Sequence, residues 1–128
     1  MSTAVLRSLL ARPISFHPAL ARLTGSVQAG LMLSQAVYWS EKKDGEWFYK
    51  TQQQWSAETA LSRHEVEHAR LVLRGFSFWK EERRGMPATV HFRVDLDALF
   101  AALEIAENQK SSLPESGKQD RRKAAILL

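Results

Sequence analysis

Residues 51–65 read TQQQWSAETALSRHE, and two helix starts stand in this stretch eleven residues apart. Thr51 with Gln54 and Ser62 with Glu65 are capping boxes. In each, the hydroxyl accepts a first-turn amide while the Gln or Glu side chain reaches back to the cap residue's own amide. The interval holds one helix of about eight residues and a tight turn. The second helix, Arg63 to Arg74, carries Val66, Ala69 and Leu73 at spacings of three and four, which is one face. Trp55 and Leu61 are expected to close the core between the two helices, and Gly75 to stop the second. The turn between such helices often carries Gly, and here the position is Ala60. If φ is positive there, Ala costs about 1 kcal/mol relative to Gly.

Working outward, Lys43-Asp44-Gly45 signals a turn, and Glu46 to Lys50 reads as a short strand. Downstream, Phe76–Glu82 and Ala88–Val94 read as two strands flanking an Arg83-Arg84-Gly85-Met86-Pro87 tip. Val90, Phe92 and Val94 alternate with Thr89, His91 and Arg93, the pattern of a strand with one buried face. Asp95 caps a final helix with Leu96, Leu99, Phe100 and Leu103 on its inner stripe. Upstream, Ser26 caps a helix from Val27 to Lys42 that is apolar nearly all round. Such a helix is surrounded by other elements or also meets a second subunit. Ala4–Leu10 and Ala19–Leu23 are shorter helices, the second opened by Pro18 and ended by Gly25. Ile14 to Phe16 between them is expected to be extended. The fold class is therefore mainly α with a small β-sheet (α+β). Residues 1–107 form one domain, and residues 108–128, rich in Ser, Lys, Gln and Glu, form a mobile tail ending in apolar Ala124–Leu128.

Composition narrows the function classes. The chain has 128 residues, 45% of them hydrophobic, enough for one domain with a real core. The absence of Cys excludes a disulfide framework, a thiolate zinc site and a Cys nucleophile. Arg7, Arg12 and Arg22 interrupt the N-terminal third, and no apolar run approaches the roughly 20 residues of a membrane helix. The chain reads as soluble and cytoplasmic. An acid-free N-terminus with Arg and Ser is also the composition of a transit peptide, but it runs unbroken into a core helix. The net charge of +4 is concentrated, with +3 in residues 1–40 and +3 in residues 62–94.

The order strand, helix, turn, helix and hairpin, with the residues Trp47-Phe48-Tyr49-Lys50-Thr51, Leu61-Ser62-Arg63, Leu71 to Phe76 and Arg83-Arg84-Gly85, is similar to a winged helix-turn-helix domain. Here it has extra N-terminal helices and a C-terminal helix. The stretches Arg12–Pro18 and Ser34–Ser40 resemble the N-terminal part of small winged-helix proteins of phages, plasmids and integrative elements. The likeness spans residues 12–103. It implies a double-stranded DNA-binding protein of a mobile genetic element, acting in transcription regulation or as a replication accessory. In that family the second helix of the pair enters the major groove, and the wing follows the backbone or enters the minor groove.

Carried onto this sequence, the outward positions of the second helix are Arg63, His64, Glu67 and His68. Arg63 can donate twice to a guanine edge, and Glu67 can accept from a cytosine amine. Arg70 and Arg74 are placed to reach phosphates, or to pair with Glu67 or with each other's acidic neighbours. Arg83 and Arg84 at the wing tip suit the backbone or an AT-rich minor groove. Thr51, Gln52 and Gln53 open the first helix, where free amides favour a phosphate. The tail residues Lys118, Arg121, Arg122 and Lys123 add a diffuse attraction. One such domain makes few base contacts, so a homodimer on a two-fold site is expected, through the N-terminal helix and the apolar helix 27–42.

Other chemistries lack parts. His64 and His68 are four apart on a helix, a spacing that can share a metal, but no third ligand stands at usable spacing. No P-loop, glycine-rich dinucleotide turn or nucleophile elbow is present, so neither a cofactor nor enzyme activity is expected. The rival reading is a winged-helix protein-binding module that inhibits or redirects a host replication, transcription or defence complex. The acids Glu65, Glu67, Glu81 and Glu82 support it, since each stands where phosphate would otherwise pass.

Overall fold

Pro18, at the first helical position, and Gly25, left-handed at φ 74°, delimit a helix that lies against the central helix of the molecule. The computed structural model describes residues 2–10 and 12–112. Their elements are α1 (Thr3–Leu9), α2 (Pro18–Thr24), α3 (Val27–Lys42), β1 (Phe48–Tyr49), α4 (Gln52–Thr59), α5 (Arg63–Leu73), β2 (Trp79–Arg84), β3 (Thr89–Val94) and α6 (Leu96–Ser112). The three strands form an antiparallel sheet in the order β1-β3-β2. This is a mixed α+β fold with six helices.

Helix α3 is the hub, packing on α2, α4, α5 and β3. Its contact with α2 depends on Gly30: a Cβ there would stand 2.4 Å from the Ala21 Cα. Glycine, poor in a helix interior, is what lets these backbones meet. Ser34 Oγ donates to the Gly30 carbonyl at 2.7 Å and accepts from the His17 amide at 3.0 Å, fixing the entry to α2. Ser40 Oγ accepts from the Val94 amide, joining α3 to the sheet. Of its large apolar residues Val27 and Tyr38 remain exposed, as do Glu41 and Lys42 at its end, and the rest of α3 is buried or half-buried.

Both capping boxes form, at Thr51/Gln54 and Ser62/Glu65. Ala60 between them is left-handed at φ 65°. Trp55, Leu61, Val66, Ala69 and Leu73 are buried together. In the middle of the sheet, the Phe92 ring meets Phe48, Trp55 and Trp79 at centroid distances of 5.9, 5.3 and 5.8 Å. Asp95 Oδ1 accepts from the Ala98 amide and caps α6 as expected.

Several expectations are corrected. The first strand is only Phe48–Tyr49, because pairing with β3 is confined to Phe92 and His91. The hairpin strands are Trp79–Arg84 and Thr89–Val94, so Phe76–Phe78 precede β2, and Arg83 and Arg84 lie in it, opposite Val90 and Thr89. The tip is residues 85–88, with Gly85 left-handed at φ 85°. Helix α5 does end before Gly75, with Arg74 as its C-cap, but without a left-handed glycine: tight turns from the Gly75 amide to Val72 and from the Phe76 amide to Leu73 close it. Phe100 is exposed, since α6 turns Leu99, with Leu96, Ala98, Ala102 and Leu103, to the core. Residues 108–112 of the expected tail continue α6, and the remainder of the tail, with its cations and its apolar end, lies outside the described residues. Helix α1 buries none of its residues.

Candidate nucleic-acid interface

The position of α5 is set from both ends. At its start, Glu65 closes the capping box through Oε1 and accepts from Gln28 Nε2 of α3 through Oε2 at 3.0 Å. Its carboxylate is therefore spent on structure. The opposite face presents Arg63, His64, Glu67, His68 and Leu71 to solvent. Arg63 is 80% exposed and meets Glu67 at 3.4 Å, one helical turn on. An exposed pair of this kind contributes at most about 1 kcal/mol, so both groups are free to exchange it for a ligand.

At its other end α5 is bound to β2 through Glu81. Arg70 donates Nε and Nη2 to the two Glu81 oxygens at 3.1 and 2.7 Å. Trp79 Nε1 donates at 2.8 Å, and Arg74 Nη1 approaches at 3.4 Å. Burial by itself would raise the Glu81 pKa. The bonds from Arg70 and Trp79 and the charges of Arg70 and Arg74 outweigh it, holding the carboxyl below its usual range. The Arg70 guanidinium also lies 5.5 Å from the Phe92 ring centroid. Arg70, expected on phosphate, on Glu67 or on another neighbouring acid, pairs with Glu81 and is the internal brace that fixes the hairpin against α5. Glu81, read from sequence as an acid in the way of phosphate, is the anchor of that brace.

Arg83 and Arg84 lie on opposite faces of β2. Neighbours in a strand point to opposite faces. Arg83, paired with Val90, looks toward α5 and lines a cleft of about 320 Å³ with Arg70, Arg74, Glu81 and Glu82. Arg70 neutralises Glu81 and Arg84 pairs with Glu82, so Arg83 and Arg74, the latter at the longer 3.4 Å from Glu81, leave this cleft with an excess of positive charge. Arg84 lies on the far face, bonded to Glu82 Oε1 at 2.6 Å and stacked 4.9 Å from the Trp47 ring centroid.

At the start of α4, Thr51 accepts from the Gln54 amide and Gln52 Nε2 donates to Ser56, while Gln53 is exposed. The first amides of any helix lack intrahelical acceptors, so Gln52 and Gln53 present donors here. Behind this end lies a cluster that sequence reasoning missed. Glu58 accepts from Gln35 Nε2 at 2.6 Å, from Trp39 Nε1 at 2.9 Å and from Lys50 Nζ. Lys50 is only 5% exposed, its ammonium 4.2 Å from the Trp39 ring centroid and 5.7 Å from that of Trp55. Burial alone would raise the Glu58 pKa; the bonds from Lys50, Gln35 and Trp39 and the Lys50 charge outweigh it and lower the value. The cluster ties α3, α4 and the residue before Thr51 together. Its partners lie 8 to 23 residues from Glu58, so no local pattern reveals it.

His64 and His68 are both exposed on α5, and among the described residues no group of three His, Cys, Asp or Glu side chains is arranged to hold a metal. No helix among the described residues is long and apolar enough to cross a membrane. No family model matches the chain, and no curated protein and no solved structure matches it either.

Proposed function

We propose that the chain is a winged helix-turn-helix protein that binds double-stranded DNA, with α5 in the major groove. The observation that carries this reading is the placement of α5. Two capping boxes and the Arg70–Glu81 brace hold it rigidly, while Arg63, His64, Glu67 and His68 face outward beside the cationic cleft. The order α3-β1-α4-α5-β2-β3 with sheet order β1-β3-β2 supports the same reading. In it, Arg63 and Glu67 read base edges, with His64 and His68 beside them. Arg74 and Arg83 take backbone phosphates on one side, and the amides of Gln52 and Gln53, positioned by the Thr51 cap, take one on the other. Arg70 and Arg84 position the wing without touching the duplex. Two copies on a two-fold site supply the remaining specificity, and the role is transcriptional control or replication of a mobile element.

A second reading has its own observation. Leu71, 63% exposed on the same face of α5, and Met86, fully exposed at the hairpin tip, are apolar groups suited to a protein partner. The two readings separate by fluorescence anisotropy of a mixed-sequence duplex titrated at several salt concentrations. DNA binding that falls steeply with salt favours the first reading. No binding at low salt favours a protein complex.

A further inference from the structure

The face of the sheet turned away from α5 has a character of its own. Phe48, Phe92, Val94 and Trp79 point to the core. Alternation therefore places Tyr49, His91, Arg93, Lys80, Glu82 and Arg84 on the opposite face. The register sets Tyr49, His91 and Glu82 side by side across all three strands, with Lys80 next to Arg93. The Tyr49 and His91 rings are 5.5 Å apart, and Tyr49 is 47% exposed. Trp47, one residue before β1, lies under the Arg84 guanidinium. Glu82 is the one acid in these strand rows and is already bonded to Arg84. Lys80 is exposed, whereas Arg93 donates to the Gly45 carbonyl and lines a cleft with the acids Glu41, Asp44, Asp95 and Asp97, which closes the cationic tract.

From this juxtaposition of Trp47, Tyr49 and His91 with Lys80 and Arg84, we propose that the outer sheet face binds single-stranded nucleic acid, stacking unpaired bases on the aromatic rings. Tyr49 offers the exposed ring, with the half-buried rings of His91 and Trp47 beside it. An exposed ring suits the π-face of any base, and the flanking Lys80 and Arg84 suit the sugar-phosphate chain. Duplex DNA does not fit, because its bases are stacked on one another and offer no free faces. The acidic end limits the footprint to about two or three bases. The face is separate from α5, so one molecule can hold a duplex and an adjoining single strand together.

The test is anisotropy of fluorescein-labelled twelve-nucleotide dT and dA strands, with a duplex measured in parallel, on the full chain and on Tyr49→Ala, Tyr49→Phe, Lys80→Glu and Arg63→Ala. Stacking on one ring corresponds to about a five-fold or greater loss when that ring is removed. Tyr49→Ala and Lys80→Glu are expected to weaken single-strand binding by at least that factor and to leave duplex binding within about two-fold. Tyr49→Phe should retain it. Both substituted side chains are exposed, and Lys80→Glu keeps the test informative if Tyr49→Ala perturbs the fold. Absence of single-strand binding at low salt overturns the proposal, as does a loss in Arg63→Ala equal to that in Tyr49→Ala. A dimer mass that Tyr49→Ala abolishes would assign the face to a second copy and overturn it equally. Duplex binding is scored separately, so failure here and failure of the α5 reading are distinguishable.

Discussion

Arg70 and Glu81 face each other across the angle between α5 and β2, joined by two parallel hydrogen bonds at 3.1 and 2.7 Å. A forked pair of this kind fixes orientation as well as distance. It makes α5 and the hairpin one rigid unit, and Trp79 Nε1 on the same carboxylate locks the strand end into it.

Removing the carboxylate charge leaves Arg70 without its partner. Glu81→Gln is expected to destabilise the protein by about 1–3 kcal/mol, read from the midpoint of urea unfolding. Arg84→Ala, by contrast, removes an exposed pair with Glu82 and should change stability by less than about 1 kcal/mol. Equal effects of the two would contradict the brace.

The same carboxylates set the acid limit of stability. Glu58 and Glu81 both titrate below the ordinary value of 4.5 in the folded chain. A carboxyl whose pKa is lowered by folding stabilises the protein above its unfolded pKa and loses that contribution as pH falls through the folded value. Stability is therefore expected to be level near neutrality and to decline below about pH 4.5. Glu58→Gln and Glu81→Gln should each be less stable at pH 7 and show a shallower acid decline, as measured by chemical denaturation across pH. A decline centred near pH 6.5 would point to histidine instead.

Two backbone positions give opposite expectations. Gly30→Ala forces a methyl against Ala21 and is expected to cost about 1–3 kcal/mol despite the better helix propensity of Ala. Ala60→Gly relieves a left-handed alanine and is expected to stabilise by up to about 1 kcal/mol. Thermal melts of the two single variants check both signs.

These positions also mark what the sequence discloses. The caps at Ser26, Thr51, Ser62 and Asp95 and the left-handed Gly25 are local features, set by residues within one turn, and each is legible from a few letters. The hairpin boundaries were not, because the register that carries β2 through Arg84 is fixed by pairing with β3 and not by the composition of the tip. Arg70 reads as a phosphate ligand until Glu81, eleven residues away, is seen beneath it. Lys50 next to an exposed Tyr49 gives no local sign of burial; its ammonium is hidden by Trp39 and Glu58, which come from separate helices. The outward face of α5 was legible because helical periodicity separates it from Val66, Ala69 and Leu73.

The central claim, that α5 and the inner edge of the wing hold duplex DNA, is tested most directly by duplex anisotropy at several salt concentrations with Arg63→Ala, Arg83→Ala and Arg84→Ala. Arg63→Ala is expected to cost about 1–3 kcal/mol on a preferred site. Arg83→Ala should weaken all duplexes and reduce the slope of log affinity against log salt by about one. Arg84→Ala, on the far face of β2, should leave both unchanged. Duplex binding that is absent at low salt, or that depends on Arg84 as strongly as on Arg83, would contradict the account.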